Sequence, residues 1–219
     1  NFNFRNNNDM IITDIFKKMG ISHYDKTKSL FYINTSIFGN SYALNEDGKV
    51  IGLNIAGEHG IDILELLNRE ELLDIQYLRI AYTELTNLVI PEFKHLISLD
   101  IGNNDYLESL QFTSSLPELV GIKIHNCNLV YLSIHGNYDK LNYIIASNNQ
   151  LKDVEIVGNY PVLDRVDLCR NNLKSLTFPP LNILLVDKDT ILYNIPSNMK
   201  IQIFDDKKIC KSDTYHLKQ

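Results

Sequence analysis

One short pattern recurs along the middle of this chain at nearly constant spacing, and it constrains the fold more than any other feature. In the form LxxLxLxxNxL it reads "IQYLRIAYTEL" from Ile75, "LISLDIGNNDYL" from Leu96, "LVGIKIHNCNL" from Leu119, "LNYIIASNNQL" from Leu141 and "LDRVDLCRNNL" from Leu163. The copy at Leu96 carries one extra residue before its last Leu. The fourth-position anchors are Leu78, Leu99, Ile122, Ile144 and Val166, which lie 21, 23, 22 and 22 residues apart. An earlier copy begins at Val50 ("VIGLNIAGEHGI") and a shortened last copy at Leu181 ("LNILLVDKD"). A period of this size marks stacked supersecondary units, each too small to bury its apolar face alone.

The internal grammar of the unit says how it folds. In Leu-x-Leu the apolar residues alternate with period two, as in a strand with one buried face. The chain must turn at the ninth position, where Asn104, Cys127, Asn149 and Asn171 stand. A carboxamide both donates and accepts, so stacked copies predict a ladder that satisfies turn amides left without strand partners. Thr83 and Glu58 depart from this column, so the first two coils are expected to be less regular. A second half-repeat follows the first: "LTNLVI" from Leu85, "LESLQF" from Leu107, "LVYLSI" from Leu129, "LKDVEI" from Leu151 and "LKSLTF" from Leu173. Each coil therefore has two extended sides. The links "HGNYDKL" and "VGNYPVL" are too short for a helix, and "SSLPEL" has room for a 3₁₀ turn at most. The exception is Ile61 to Leu73, "IDILELLNREELL", whose apolar spacing predicts an α-helix.

These units resemble the leucine-rich repeat family over Val50 to Lys188, and Cys127 fits the Cys alternative that the family pattern allows at the ninth position. The resemblance implies an α/β fold leaning all-β: a curved, right-handed solenoid of about seven coils of about 22 residues. A parallel β-sheet would form the concave face and short extended or 3₁₀ segments the convex face. The doubled pattern, with "NNQL" and "GN" corners, is similar to Bacteroides-type bacterial repeat proteins, which implies a secreted or cell-surface protein, with the cytoplasm as the alternative. Because an open solenoid exposes its core, both ends need caps. Residues 1–49 are assigned to an N-terminal cap, 50–188 to the array, and 189–219 to a C-terminal cap and tail. The N-terminal cap is expected to hold a helix capped at Asn8 or Asp9, with Ile11, Ile12, Ile15, Phe16 and Met19 inward and a stop at Gly20. Short strands in "SLFYINTSIFG" and "SYALNEDGKVIGLNI" should follow, the latter with a hairpin turn at Asp47-Gly48, and Lys200 to Phe204 reads as a terminal strand.

Several function classes are disfavoured. A chain of 219 residues is long enough for one substantial core and short for two domains. With net charge −6 and both signs mixed, it has no basic stripe for nucleic acid. No apolar stretch approaches the roughly 18 residues of a membrane span. Three separated cysteines without a CxxC pair, histidines without HxH or HExxH spacing, and no clustered Asp/Gly loop point to no metal and no cofactor. The chain opens at Asn1 rather than Met, so a leader already removed is compatible with it. His125 and Cys169 share the seventh position two coils apart, about 10 Å at ordinary strand spacing, too far for a nucleophile–base pair. No catalytic residue is assigned.

The remaining candidates are the side chains that the alternation turns out to the concave face. Candidate ligand contacts are Tyr77, Arg79, Tyr82, Asp100, Lys123, His125, Asn126, Tyr143, Asn148, Arg165, Asp167 and Arg170. Tyr and Arg are among the types enriched at binding hot spots. The plainer reading is that Arg79, Asp100, Lys123 and Asp167, which alternate in sign, pair across neighbouring strands. The expected function is a non-enzymatic module, favoured as a monomer, that displays this surface to a protein, peptide or glycan. The alternatives are the substrate-recognition part of a bacterial effector whose ubiquitin-ligase-like domain lies elsewhere, or a structural role in adhesion.

Overall fold

A computed structural model describes residues 12–18, 20–23, 40–57, 62–188, 190 and 200–204. The expected caps at Asn8 and Asp9, the inward Ile11 and Met19, the strand "SLFYINTSIFG", Glu58 and the tail lie outside the described residues.

The array forms because every coil places two apolar anchors on the same side of a short strand. The strands of the first side are β3 (Val50–Ala56), β4 (Tyr77–Ala81), β6 (Ser98–Asp100), β8 (Gly121–Lys123), β10 (Tyr143–Ile145), β12 (Arg165–Asp167) and β14 (Ile183–Asp187). They pair in parallel and in register, so that Leu53, Leu78, Leu99, Ile122, Ile144, Val166 and Leu184 fall in one row. All seven are fully buried, as are the sixth-position residues from Ile55 to Val186. At about 1.5–3 kcal/mol for each buried aliphatic side chain, these rows are the main favourable term of the array. The result is a mostly β molecule, a parallel β-solenoid of about six turns with few helices.

The second side of the coil is also extended. β5 (Asn87–Ile90) pairs with β7 (Ser109–Phe112), and β9 (Tyr131–Asn137), β11 (Asp153–Asn159) and β13 (Ser175–Thr177) form a separate three-stranded parallel sheet. Leu88, Ile90, Leu132, Ile134, Val154 and Ile156 point inward, and the residues between them face out. The "GN" corners close this side tightly. Gly136 (φ 127°) and Gly158 (φ 139°) adopt a backbone that L side chains rarely reach, and a Cβ on Gly158 would lie 1.9 Å from the Gly136 carbonyl oxygen. Tyr138 and Tyr160 follow these corners. Both are buried, with their rings stacked at 5.4 Å.

The ends follow the same logic. Helix α1 (Ile12–Lys18) buries Ile12, Ile15 and Phe16, and the Phe16 ring lies 4.8 Å from that of Tyr42 in β2 (Ser41–Leu44). The two-residue strand β1 (Ser22–His23) pairs with β2, which joins β3 as the antiparallel arm of the hairpin turning at Asp47-Gly48. The helix expected over Ile61 to Leu73 is shorter. α2 spans Ile63–Leu67, with the Asp62 carboxylate accepting from the Glu65 N–H, and Arg69 is extended (φ −77°, ψ 138°). A 3₁₀ turn over Glu70–Leu72 then carries the chain to the next coil at Ile75. At the far end β15 (Lys200–Phe204) adds in parallel to β14 and completes a ten-stranded sheet.

Candidate binding face

The turn after each first-side strand uses two adjacent residues, and each forms its own hydrogen-bonded row. The ninth-position row is buried. Asn104 Nδ2 donates to the carbonyls of Ile80 and Ile101, each at 2.9 Å, one in the preceding coil and one in its own. Asn149 bonds in the same way to Ile124 and Ala146, and Asn171 to Ala146 and Leu168. Their Oδ1 atoms accept backbone N–H groups of the coil before: Thr83 on Asn104, Leu129 on Asn149 and Leu151 on Asn171. Thr83, the departure from the column, adds its hydroxyl to Asn104. Cys127 supplies only a donor, to the Ile101 carbonyl at 3.3 Å. Burial, the largest influence, pushes the Cys127 thiol up to about 11, with Asp105 and Asp100 adding to the rise, so the thiol is protonated and unreactive at neutral pH.

The eighth-position row, expected from the sequence to supply face contacts, has a backbone role that the sequence reading did not give it. Tyr82, Asn103, Asn126, Asn148 and Arg170 all have φ between 54° and 63°, and Gly57 occupies the same place with φ 87°. Asn and Gly are the residues that enter this left-handed region most easily. The three carboxamides also bond to one another: Asn148 Nδ2 donates to Asn126 Oδ1 at 2.7 Å, and Asn126 Nδ2 to Asn103 Oδ1 at 2.8 Å. Asn126 and Asn148, candidate contacts on sequence grounds, thus have a structural use. A column of Gly and Asn one residue ahead of the ladder was the signal. Tyr82 and Arg170 hold the same backbone without that aptitude, at a cost on the order of 1–2 kcal/mol each.

The outward side chains of the main sheet divide into two groups. Over β3, β4 and β6 they are buried and paired. Arg79 Nη1 donates to Asn54 Oδ1 at 3.0 Å, and its Nε lies 3.7 Å from Asp100 Oδ2. Asp100 Oδ1 accepts the Gly102 N–H. Arg79 is 4% and Asp100 6% exposed, so neither is presented to solvent. The guanidinium also lies 5.8 Å from the ring centre of Tyr82, whose own side is open, at 56% exposure. Tyr77 is half-buried against Ala43 and Ile51.

Over β8, β10 and β12 the face is more open. Lys123 and Tyr143 are half-buried, Arg165 and Arg170 are exposed, and Lys123 forms no side-chain hydrogen bond or ion pair with the described residues. Arg165 reaches Asp167 at 3.5 Å, and Asp167 Oδ1 accepts the Cys169 N–H, as Asp100 does for Gly102. Two glycines shape the area around Lys123. A Cβ on Gly121 would lie 2.1 Å from the Tyr143 ring, and one on Gly102 would lie 2.4 Å from the His125 ring. Each ring therefore lies across the glycine of the preceding coil and is fixed before any ligand arrives. Burial and the nearby Asp100 charge raise the Tyr143 hydroxyl above its ordinary range, which keeps it a neutral donor.

The second sheet carries one cluster that sequence spacing did not show. Glu155 Oε2 accepts from the Tyr131 hydroxyl at 2.8 Å and lies 3.4 Å from His135 Nε2. All three are solvent-accessible and form a surface network. Among the described residues no helix is long and apolar enough to cross a membrane.

No protein-family model matches the chain, and no solved structure matches it. The chain is similar to a curated protein, a "Roc-COR-CHAT protease" from an unknown prokaryotic organism, at 27% identity over 142 residues. The match takes in 64% of this chain and 13% of that protein, so the chain spans a small fraction of its relative's length.

Proposed function

We propose that this chain is a leucine-rich repeat recognition module, without catalysis of its own, that binds a protein, peptide or glycan on the outer face of β8, β10 and β12. The observation that carries this reading is Lys123, which has no side-chain partner among the described residues, on a face where the rings of Tyr143 and His125 are seated over Gly121 and Gly102. A surface already fixed by packing loses little ordering entropy on binding. Cys127 is buried, and the Tyr131–Glu155–His135 group stands on the second sheet, away from this face.

The similarity to a short segment of a protein named as a protease favours a second reading, in which the array is the recognition part of a longer prokaryotic enzyme. The two readings share the same face. Both are tested by enriching a partner on the immobilised chain and comparing two double variants. Lys123→Glu with Arg165→Glu should weaken capture at least about tenfold, the equivalent of 1.4 kcal/mol, with thermal stability nearly unchanged. Equal loss from Asp153→Lys with Glu155→Lys on the second sheet would place recognition elsewhere. Co-enrichment with a protease-bearing chain would select the second reading.

A further inference from the structure

We propose that the solenoid has a built-in seam between the coil of β6 and the coil of β8, at which it opens and bends ahead of any other junction. Six features fall there. The second side is continuous from β5 to β7 and again from β9 to β13, but β7 and β9 do not pair. The coil before the junction carries the extra residue, which lengthens the step from Leu99 to Ile122 beyond those on either side of it. The buried ladder crosses the junction through Cys127: its thiol donates to the Ile101 carbonyl, and the Leu107 N–H, at the place where Leu129 and Leu151 bond to Asn149 and Asn171 of the next coil, closes instead within its own turn on the Asn104 carbonyl at 3.0 Å.

Three further features are buried polar atoms without a hydrogen-bond partner among the described residues. Tyr160 reaches back to the preceding coil and donates its hydroxyl to the Ile134 carbonyl at 2.6 Å. Tyr138 is its counterpart one coil earlier, stacked on it nearly parallel, yet its buried hydroxyl has no hydrogen-bond partner. Ser114 Oγ, on the other side of the junction, and His125 Nδ1, in the ring lying over Gly102, are likewise buried and unpartnered. Buried polar groups without partners penalise the closed state and cost nothing once the junction admits water.

What chiefly holds the seam is the main sheet, where Ile101 and Asn103 donate to Lys123 and His125 and Val120 donates to Ile97, while the second side and its corner add the Asn128 N–H to Leu107 and the Asn137 N–H to Ser115 Oγ. The sheet therefore acts as the hinge, and the second side is the part that parts. The hinge runs between Asp100 and Lys123, the boundary between the paired and the open halves of the outer face. Given the proposed recognition on that face, docking there is coupled to the angle between the two blocks.

The repeat supplies matched bonds for a test. On the second side and its corner the amides of Asn128 and Asn137 bond across the seam to Leu107 O and Ser115 Oγ at 3.1–3.2 Å; one junction later Gln150 and Lys152 bond across at 2.9 Å; one junction earlier Glu108 and Thr113 bond across at 2.8–3.1 Å. Residue-resolved hydrogen exchange on the whole chain under native conditions should find the seam amides exchanging on the order of tenfold faster than both flanking sets. Equal rates, or rates falling steadily from one end, would overturn the seam. In Cys127→Asn, which restores the ladder acceptor, the seam set alone should slow. If that variant does not fold, the wild-type comparison still decides the matter.

Discussion

The outer face of the main sheet has two halves built from the same positions of the same repeat, and they have opposite fates. Over β3, β4 and β6 the fifth-position residues Asn54, Arg79 and Asp100 are sealed from water and bonded to one another. Over β8, β10 and β12 their counterparts Lys123, Ile145 and Asp167 remain partly open. A charge at an outward repeat position therefore does not by itself mark a contact. The strands fix its direction, while its neighbours decide whether it serves the fold or a partner.

Substitutions that separate the two halves sharpen the contrast. The largest effect is expected from Arg79→Leu, which strands the Asp100 carboxylate in a buried site. The loss should be about 3–5 kcal/mol by urea unfolding, whereas Lys123→Gln should stay within about 0.5 kcal/mol. If the two cost the same, the halves do not differ as described. Next is Asn149→Ala in the buried ladder, which leaves the Leu129 N–H and the Ile124 carbonyl without their side-chain partner while the Ala146 carbonyl keeps Asn171, at about 2–3 kcal/mol in the same assay.

A pH effect should follow. The folded state holds the Cys127 thiol proton up to about 11 against an ordinary value of 9.0, and the Tyr138 proton up to about 12 against 10.0. Between those values the native state binds more protons than the unfolded chain, so stability is fully present below pH 9 and falls as pH rises from 9 towards 12. The melting temperature should decline over that window, and Cys127→Ala should flatten its lower part. The smallest effect is at Tyr82. Replacing it with Gly relieves the left-handed backbone and should raise stability by no more than about 1 kcal/mol, while removing an exposed aromatic from the boundary between the halves. A drop of several kcal/mol would mean that its stacking on Arg79 outweighs the strain.

Much of this was legible in the sequence because the period is strict. The anchor rows, the two extended sides, the hairpin at Asp47-Gly48, the terminal strand at Lys200 and the ninth-position row all follow from residue type at fixed spacing. Of the two readings of Arg79 and Asp100, presentation or pairing across strands, the structure bears out the pairing; that the pair is sealed from water was not legible, since alternation gives the side of a strand and not what lies above it. The double use of Asn148 and Asn149 was half legible. A ladder Asn is expected from its spacing, but a left-handed neighbour is visible only when the whole column of Gly57, Asn103, Asn126 and Asn148 is considered together. The pairing of Glu155 with Tyr131 and His135 depends on the register between β9 and β11, which spacing alone does not supply.

The central claim is that recognition belongs to the open half of the main sheet. Its most direct test is a hydrogen-exchange footprint of the chain with a captured partner. The account predicts slowed exchange over residues 121–126, 143–148 and 165–170, with residues 131–137 and 153–159 of the second sheet unchanged. Protection confined to the second sheet would contradict it.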